Sequence, residues 1–217
     1  MKIIKPSFEI IKYDHGAVKF LEEVGRTCYK SEDKITDTSG DKFINMLVER
    51  GHEAMIEHSF ISVRFIHNRG FTHELVRHRL VSYAQESTRY CNYAKDKFNN
   101  ELTFIEPFWF GGGDDTDERS WHELMLQIEK LYNVFVNEGG LPPQAARGIL
   151  PNDLKTEIVA SANVREWRSI FKLRCARGAH PDMHRVMIPL LYKLNELLPV
   201  LFQDIANIIR YDEQSRF

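Results

Sequence analysis

The chain has 217 residues, 43% apolar and 28% charged. That composition supports a substantial core and excludes intrinsic disorder. Its 29 Lys and Arg against 31 Asp and Glu leave a formal charge of −2, so there is no global positive field to wrap duplex DNA or an anionic membrane, and any anion site must be a local cluster.

No apolar run approaches the ~20 residues of a membrane span, and the opening MKIIKPSFEI lacks the apolar stretch of a signal peptide. The three cysteines, Cys28, Cys91 and Cys175, are too sparse for a disulfide framework or a cysteine zinc site. A reducing cytoplasm is the expected location. Residues 3–13 alternate loosely and predict a strand. Val18, Leu21, Val24 and Cys28 recur near the 3.6-residue period and predict a helix over residues 16–30. The 38–41 loop can cap a second helix that begins near Lys42 and closes at Gly51. Residues 60–67 alternate and predict a strand, residues 69–80 a helix, and residues 83–100, polar and aromatic without a period, a long loop. A short strand follows at 102–105, and the glycine-rich tip at 111–115 is where disorder is most expected. Residues 118–137 predict a helix closed by Gly139-Gly140, and Leu141-Pro142-Pro143 starts a short helix limited by Pro151. Residues 156–163 read as a strand and 164–177 as a helix interrupted at Gly178. His180-Pro181 opens a last helix that runs to about Ile209, with bends near Pro189 and Pro199. With no repeat, low-complexity tract or linker, the expectation is one α+β domain over residues 1–217, a mixed central sheet flanked by helices.

Residues 64–89 hold the most informative chemistry. Five arginines (Arg64, Arg69, Arg77, Arg79, Arg89) face only Glu74 and Glu86, with no lysine. The planar guanidinium fork grips phosphate at two points, where an ammonium is a hydrated point charge. If the helix ran to residue 80, Phe71, Leu75, Val76 and Leu80 would form one broad apolar face with Arg79 inside it, and His73, Glu74 and Arg77 would gather opposite. A permanent charge on a buried stripe needs a partner, so either the helix stops before Arg79 or an anion meets it. Beyond lie Ser82-Tyr83-Ala84-Gln85-Glu86-Ser87-Thr88-Arg89, a dense set of hydroxyl, amide and guanidinium donors suited to a phosphate and to polar base edges. Arg165, Arg168, Arg174, Arg177 and Arg185 form a second group around a helix, and Arg147 stands alone.

The run Arg77-His78-Arg79, seven residues, then Ser87 resembles the signature of the flavin-dependent thymidylate synthases. The flanks are similar to that family as well: Gly51-His52-Glu53-Ala54-Met55-Ile56-Glu57-His58 upstream, then Thr72-His73-Glu74-Leu75-Val76, and downstream Ala146-Arg147-Gly148-Ile149-Leu150-Pro151, Asn163-Val164-Arg165 and Leu173-Arg174. The resemblance covers roughly residues 17–190. It implies the family's fold and its reaction, methylation of dUMP to dTMP with 5,10-methylenetetrahydrofolate as carbon donor and NADPH-reduced FAD as hydride source. It further implies a homotetramer whose active sites draw residues from several subunits. Carried over by position, His52, Ala54, Arg77, His78, Arg79, Gln85, Asn163, Val164 and Arg165 are expected at FAD. Glu74, Leu75, Val76, Arg77, Gln85, Glu86, Ser87, Thr88, Arg89, Arg147 and Arg174 are expected at the nucleotide, with Arg174 as the catalytic group facing the pyrimidine. Glu74 stands where many members carry Gln, and residues 175–184 depart from the family's run after Arg174.

Other features have plainer readings. His52 and His58 miss the i, i+4 spacing of a helical zinc pair, and His180 and His184 read as helix-end polarity; no metal is expected. Cys175, beside Arg174, is a buried filler or an activated thiolate, with the filler favoured because the implied chemistry needs no enzyme thiol. Tyr83, Tyr90 and Tyr93 either stack on a flat ligand or pack. The leucines of the last helix belong to a core or a subunit interface. The alternative function is a non-enzymatic RNA-binding module built on the arginine helices and exposed tyrosines.

Overall fold

The computed structural model describes residues 1–112 and 115–214; Gly113 and Asp114 of the glycine-rich tip lie outside the described residues. In chain order the elements are β1 (Lys2–Ile4), β2 (Ser7–Lys12), α1 (Ala17–Tyr29), α2 (Ser39–Glu49), β3 (Phe60–Asn68), α3 (Arg69–Leu75), β4 (Ser82–Gln85), β5 (Thr103–Ile105), α4 (Asp115–Asn133), α5 (Pro143–Ala146), β6 (Lys155–Asn163), α6 (Val164–Arg174), α7 (Pro181–Leu197) and α8 (Pro199–Gln214). The class is α+β, as the composition and patterning predict. The strands form two sheets rather than one: β1 pairs with β5, and four strands follow the order β2-β3-β6-β4.

Two compact units divide the chain. One comprises Met1–Ser7, Phe65–Arg77 and Ala84–Ile158, the other Phe8–Arg64, His78–Tyr83 and Val159–Phe217. β3 and β6 each run from one unit into the other.

In the first unit β1 lies parallel to β5 with Ile3 opposite Phe104. Phe104, Trp121, Met125, Tyr132, Ala146 and Leu154 form its core. Trp121 is buried with its indole N–H satisfied, donating to Asp153 Oδ2 at 2.9 Å, as a buried indole requires. α4 is followed directly by a π turn, Val134–Glu138, which Gly139 and Leu141 close by donating to the carbonyls of Val134 and Phe135.

In the second unit α1 packs on α2, α2 on α8, and α6 on both α7 and α8. Leu21, Ile44, Leu47, Trp167, Phe171, Leu191, Leu194, Phe202 and Ile205 fill the space between them. α1 and α2 approach closely at Gly25, where a Cβ would lie 2.6 Å from Cε1 of Phe43. Gly51, at φ +69°, turns the chain out of α2 in a conformation costly for other residues. Asn163 caps α6 by accepting from Glu166 N at 2.8 Å, and Asn68 caps α3 by accepting from Phe71 N at 2.8 Å.

Four sequence expectations change. The strand over residues 3–13 is two strands, broken at Lys5-Pro6, where proline has no N–H for a ladder. The helix over 69–80 stops at Leu75. Part of the 83–100 loop is β4. The last helix is two, α7 and α8, divided at Leu198-Pro199; Pro189 sits inside α7 without ending it.

Candidate functional site

The early end of α3 resolves the problem of Arg79. Phe71 and Leu75 are buried, but Val76 and Leu80 are 40% and 75% exposed, so no apolar face continues past residue 75. Arg79 lies in a turn and is exposed; of the two alternatives the sequence left open, the helix stops before it. His78, next to it, is the buried member of the signature, 9% exposed.

In the second unit, His78 meets α6. Nε of Arg174 donates to Nε2 of His78 at 3.0 Å, and Oε1 of Glu166 lies 3.5 Å from Nδ1 on the other side of the ring. The hydroxyl of Tyr83 donates to the His78 carbonyl at 3.0 Å. Burial, then the charge of Arg174, holds His78 below the usual imidazole range, so the ring is neutral near pH 7. Burial raises the carboxyl of Glu166. Burial, followed by the charge of Glu166, pushes the Tyr83 phenol up to about 12, against the opposing pull of Arg174.

A cavity of about 610 Å³ opens in the same unit, lined by Glu53, Glu57, Leu80, Asn163, Arg165, Glu166, Ser169 and Lys172. Arg165 donates to Glu57 at 2.5 Å, and its Nε lies 3.7 Å from Glu53. Lys172 lies 3.6 Å from Glu53. His52 and Ala54 are exposed, and the hydroxyl of Tyr29 lies 3.3 Å from Nδ1 of His52. Val164, also expected at the cofactor, is buried; its N–H donates to Ser59 O, and it holds the first turn of α6 in place.

The first unit carries the rest. Arg77 is exposed after α3, and Glu74 is half-buried. Leu75 is fully buried. Nε2 of Gln85 donates to Thr72 at 3.0 Å and to Thr156 at 3.3 Å. The Glu86 carboxylate accepts from Tyr93 at 2.7 Å and from Lys155 at 3.0 Å. Ser87 closes a turn: its carbonyl accepts from the N–H of Tyr90 and Cys91, and its Oγ accepts from Arg89 N. Arg147, at the end of α5, donates to the Thr88 hydroxyl at 3.4 Å. Arg89 and Arg147 are exposed, flanking this hydroxyl turn with cations, an arrangement that can receive a phosphate.

Several residues sort differently from their sequence neighbours. Arg168 is enclosed, 1% exposed, and forms a two-point fork with Asp204 at 2.8 and 2.7 Å, besides bonding Glu53 and the Leu201 carbonyl. It is structural, as is Arg185, paired with Asp182 at 3.2 Å. Burial pushes the Cys175 thiol up to about 12, with the charge of Glu213 adding to it; this makes it a filler and not a nucleophile. Tyr93 packs in its unit's core, whereas Tyr90 is exposed under the Arg89 guanidinium. His180 caps α7 through Asp182 N, and Nε2 of His184 meets the Ala176 carbonyl, both helix-end roles. Among the described residues no group of three metal-ligating side chains gathers, and no helix is long and apolar enough to cross a membrane. Sequence reading missed Glu166 and Lys155. Glu166 sits three residues after the Asn163 cap, the spacing of an ordinary helix start, and nothing local ties it to His78, 88 positions away in the numbering.

Residues 9–200 match the family described as "Thymidylate synthase complementing protein". A flavin-dependent thymidylate synthase of Corynebacterium efficiens is 30% identical over 202 residues, covering 88% of this chain and 80% of that one. The Pyrococcus furiosus enzyme of the same name is 30% identical over 181 residues, covering 82% and 72%. Among solved structures, Thymidylate Synthase X from Helicobacter pylori, crystallised with FAD and dUMP, superposes with a TM-score of 0.74 at 20% identity, covering 93% of this chain and 99% of that one. The UMP/dUMP methylase PolB of Streptomyces cacaoi, bound with 5-Br dUMP, superposes with a TM-score of 0.77 at 20% identity, covering 94% and 96%. At those identities the two structures establish the shared fold.

Proposed function

The chain belongs to the flavin-dependent thymidylate synthases, and from that premise we infer that its arginine-rich segments serve one reaction. It is an FAD-dependent methyltransferase that converts dUMP to dTMP. Methylenetetrahydrofolate gives the carbon, and NADPH is the reductant. The RNA-binding alternative has no support once the arginines belong to this family's signature.

The residues fit a flavin dinucleotide. Such a ligand brings a pyrophosphate and flat apolar rings. The cavity beside α6 offers the guanidinium of Arg165, the ammonium of Lys172, the Ser169 and Asn163 side chains and the apolar Leu80, alongside the carboxylates of Glu53, Glu57 and Glu166, with Arg79 exposed nearby in sequence. Glu53 and Glu57 hold Arg165 at the cavity wall, and Glu53 holds Lys172. On this reading His52, Ala54, Arg77, His78, Arg79, Gln85, Asn163 and Arg165 hold FAD, and Val164 supports them from within the helix. When bound and reduced by NADPH, FAD supplies the hydride.

The protein's own contribution is position and charge. Ser87, Thr88, Arg89 and Arg147 take the monophosphate, and Gln85, Glu86, Glu74, Val76 and Arg77 frame the nucleotide. Arg174 carries a permanent positive charge, since guanidinium does not deprotonate near neutral pH. Beside a uracil ring it stabilises the anion formed when N3 loses its proton, and so raises electron density at C5, where the methyl group is added. The observation that carries this reading is the 3.0 Å bond from Arg174 to His78, which joins the signature to the group expected to polarise the substrate. We place the whole chain in one functional domain that assembles as a cytoplasmic homotetramer with shared sites.

The test is direct. Purified protein given FAD, NADPH, methylenetetrahydrofolate and dUMP forms dTMP. Arg174→Lys keeps its flavin absorbance and loses at least about tenfold in kcat, the scale of one misplaced charge stabiliser. Wild-type kinetics in that variant would remove Arg174 from the mechanism, and absence of dTMP from wild type would remove the function.

A further inference from the structure

We propose that Glu166 is a positioning residue that orients Arg174 through the ring of His78. This rests on the function above for what Arg174 does, but the relay itself stands on geometry.

The Nε–H of an arginine can only donate. Its contact with Nε2 of His78 at 3.0 Å therefore requires a lone pair there. In a neutral imidazole the proton then sits on Nδ1, and Nδ1 is the nitrogen that faces Glu166 Oε1, 3.5 Å away. A carboxylate on that side favours the Nδ1–H tautomer; without it the ring can protonate Nε2 and turn a donor toward a donor. The side chains of His78 and Glu166 are only 8% and 13% exposed, so the contact lies largely out of bulk solvent.

The relay has fixed ends. The Glu166 N–H is tied to the Asn163 cap at 2.8 Å, and the His78 carbonyl is held by Tyr83 at 3.0 Å. The neighbouring Arg168 anchors the middle of α6. Glu166 and Arg174 stand at the two ends of one helix, and the imidazole bridges them. Fixing Nε fixes the plane of the whole guanidinium, because its three nitrogens are coplanar. Outer partners of this kind set the tautomer of a histidine and the aim of what it touches.

The experiment uses the full-length protein with labelled histidine. In wild type without added ligand, nitrogen NMR finds the His78 proton on Nδ1. Glu166→Leu loses that preference, keeps its KM for dUMP, and loses about tenfold in kcat at saturating FAD, a typical cost for an outer-shell partner. Glu166→Gln, whose amide oxygen can accept from Nδ1–H, restores the tautomer and brings kcat back within about threefold of wild type. A wild-type ring protonated on Nε2 overturns the proposal. So does a Leu variant with unchanged tautomer or unchanged kcat. If the Leu variant fails to fold, wild type and Glu166→Gln still decide. The tautomer measurement needs no turnover, so failure of the relay and failure of the proposed function are distinguishable.

Discussion

Arg168 shows how far residue type can mislead. It belongs to a run of arginines that looks like a ligand cluster, yet its guanidinium is sealed against Asp204, Glu53 and a carbonyl. Asp204 lies 36 positions further on, so no local pattern could reveal the pair. Burial alone would raise the Asp204 carboxyl; the fork from Arg168 and its charge outweigh that and hold it below the ordinary carboxylate range. A folded-state value below the unfolded one stabilises the fold above about pH 4 and is lost as pH falls through the folded value. The stability gap between wild type and Asp204→Asn, read from urea midpoints, should therefore narrow as pH drops from about 5 to 2. Arg168→Ala should cost about 1–3 kcal/mol at neutral pH, because it strands the buried Leu201 carbonyl. By contrast the signature singles out His78 and Arg79 together, and only the fold shows His78 buried and Arg79 exposed.

Among the elements, α1, β3, β6 and α6 were readable because each carries a clear period and a cap or breaker at its ends. The failures have physical reasons. Val76 and Leu80 continue the apolar rhythm of α3 but are exposed, and periodicity alone does not report whether anything covers a face. β4 alternates between exposed and half-buried residues at the edge of its sheet, so its sequence carries little apolar signal. The contact between α1 and α2 depends on Gly25, which looks like a weak point in a helix and is instead the place where Phe43 fits. Gly25→Ala should therefore destabilise the protein by about 1–3 kcal/mol through overpacking, despite alanine's better helix propensity, and a lower urea midpoint with an unchanged slope would show it.

At the scale of the molecule, the class and the family were open to a sequence reader, while the division of the chain into two units was not. Both units are built from separated segments, and the strands that pass between them look continuous. The candidate cofactor residues fall mainly in the unit of α6 and the candidate nucleotide residues mainly in the other, an arrangement no linear motif displays. The unit of α6 leaves Phe60, Leu80 and Leu173 more than half exposed, apolar area that assembly can cover. Light scattering should return four times the 25.4 kDa chain mass; a monomer at working concentration would leave the proposed shared sites incomplete.

α6 packs four separate side chains into 11 residues, Arg165, Glu166, Arg168 and Arg174, behind the Asn163 cap. Each depends on angle as well as identity. One residue gained or lost between Arg168 and Arg174 would rotate the latter by about 100° and slide it ~1.5 Å along the axis, taking it away from His78 while Arg168 kept the rest of the helix clamped. Evolution can thus exchange side chains along this stretch but cannot change its length, so codon insertions and deletions here should be purged wherever the gene is needed.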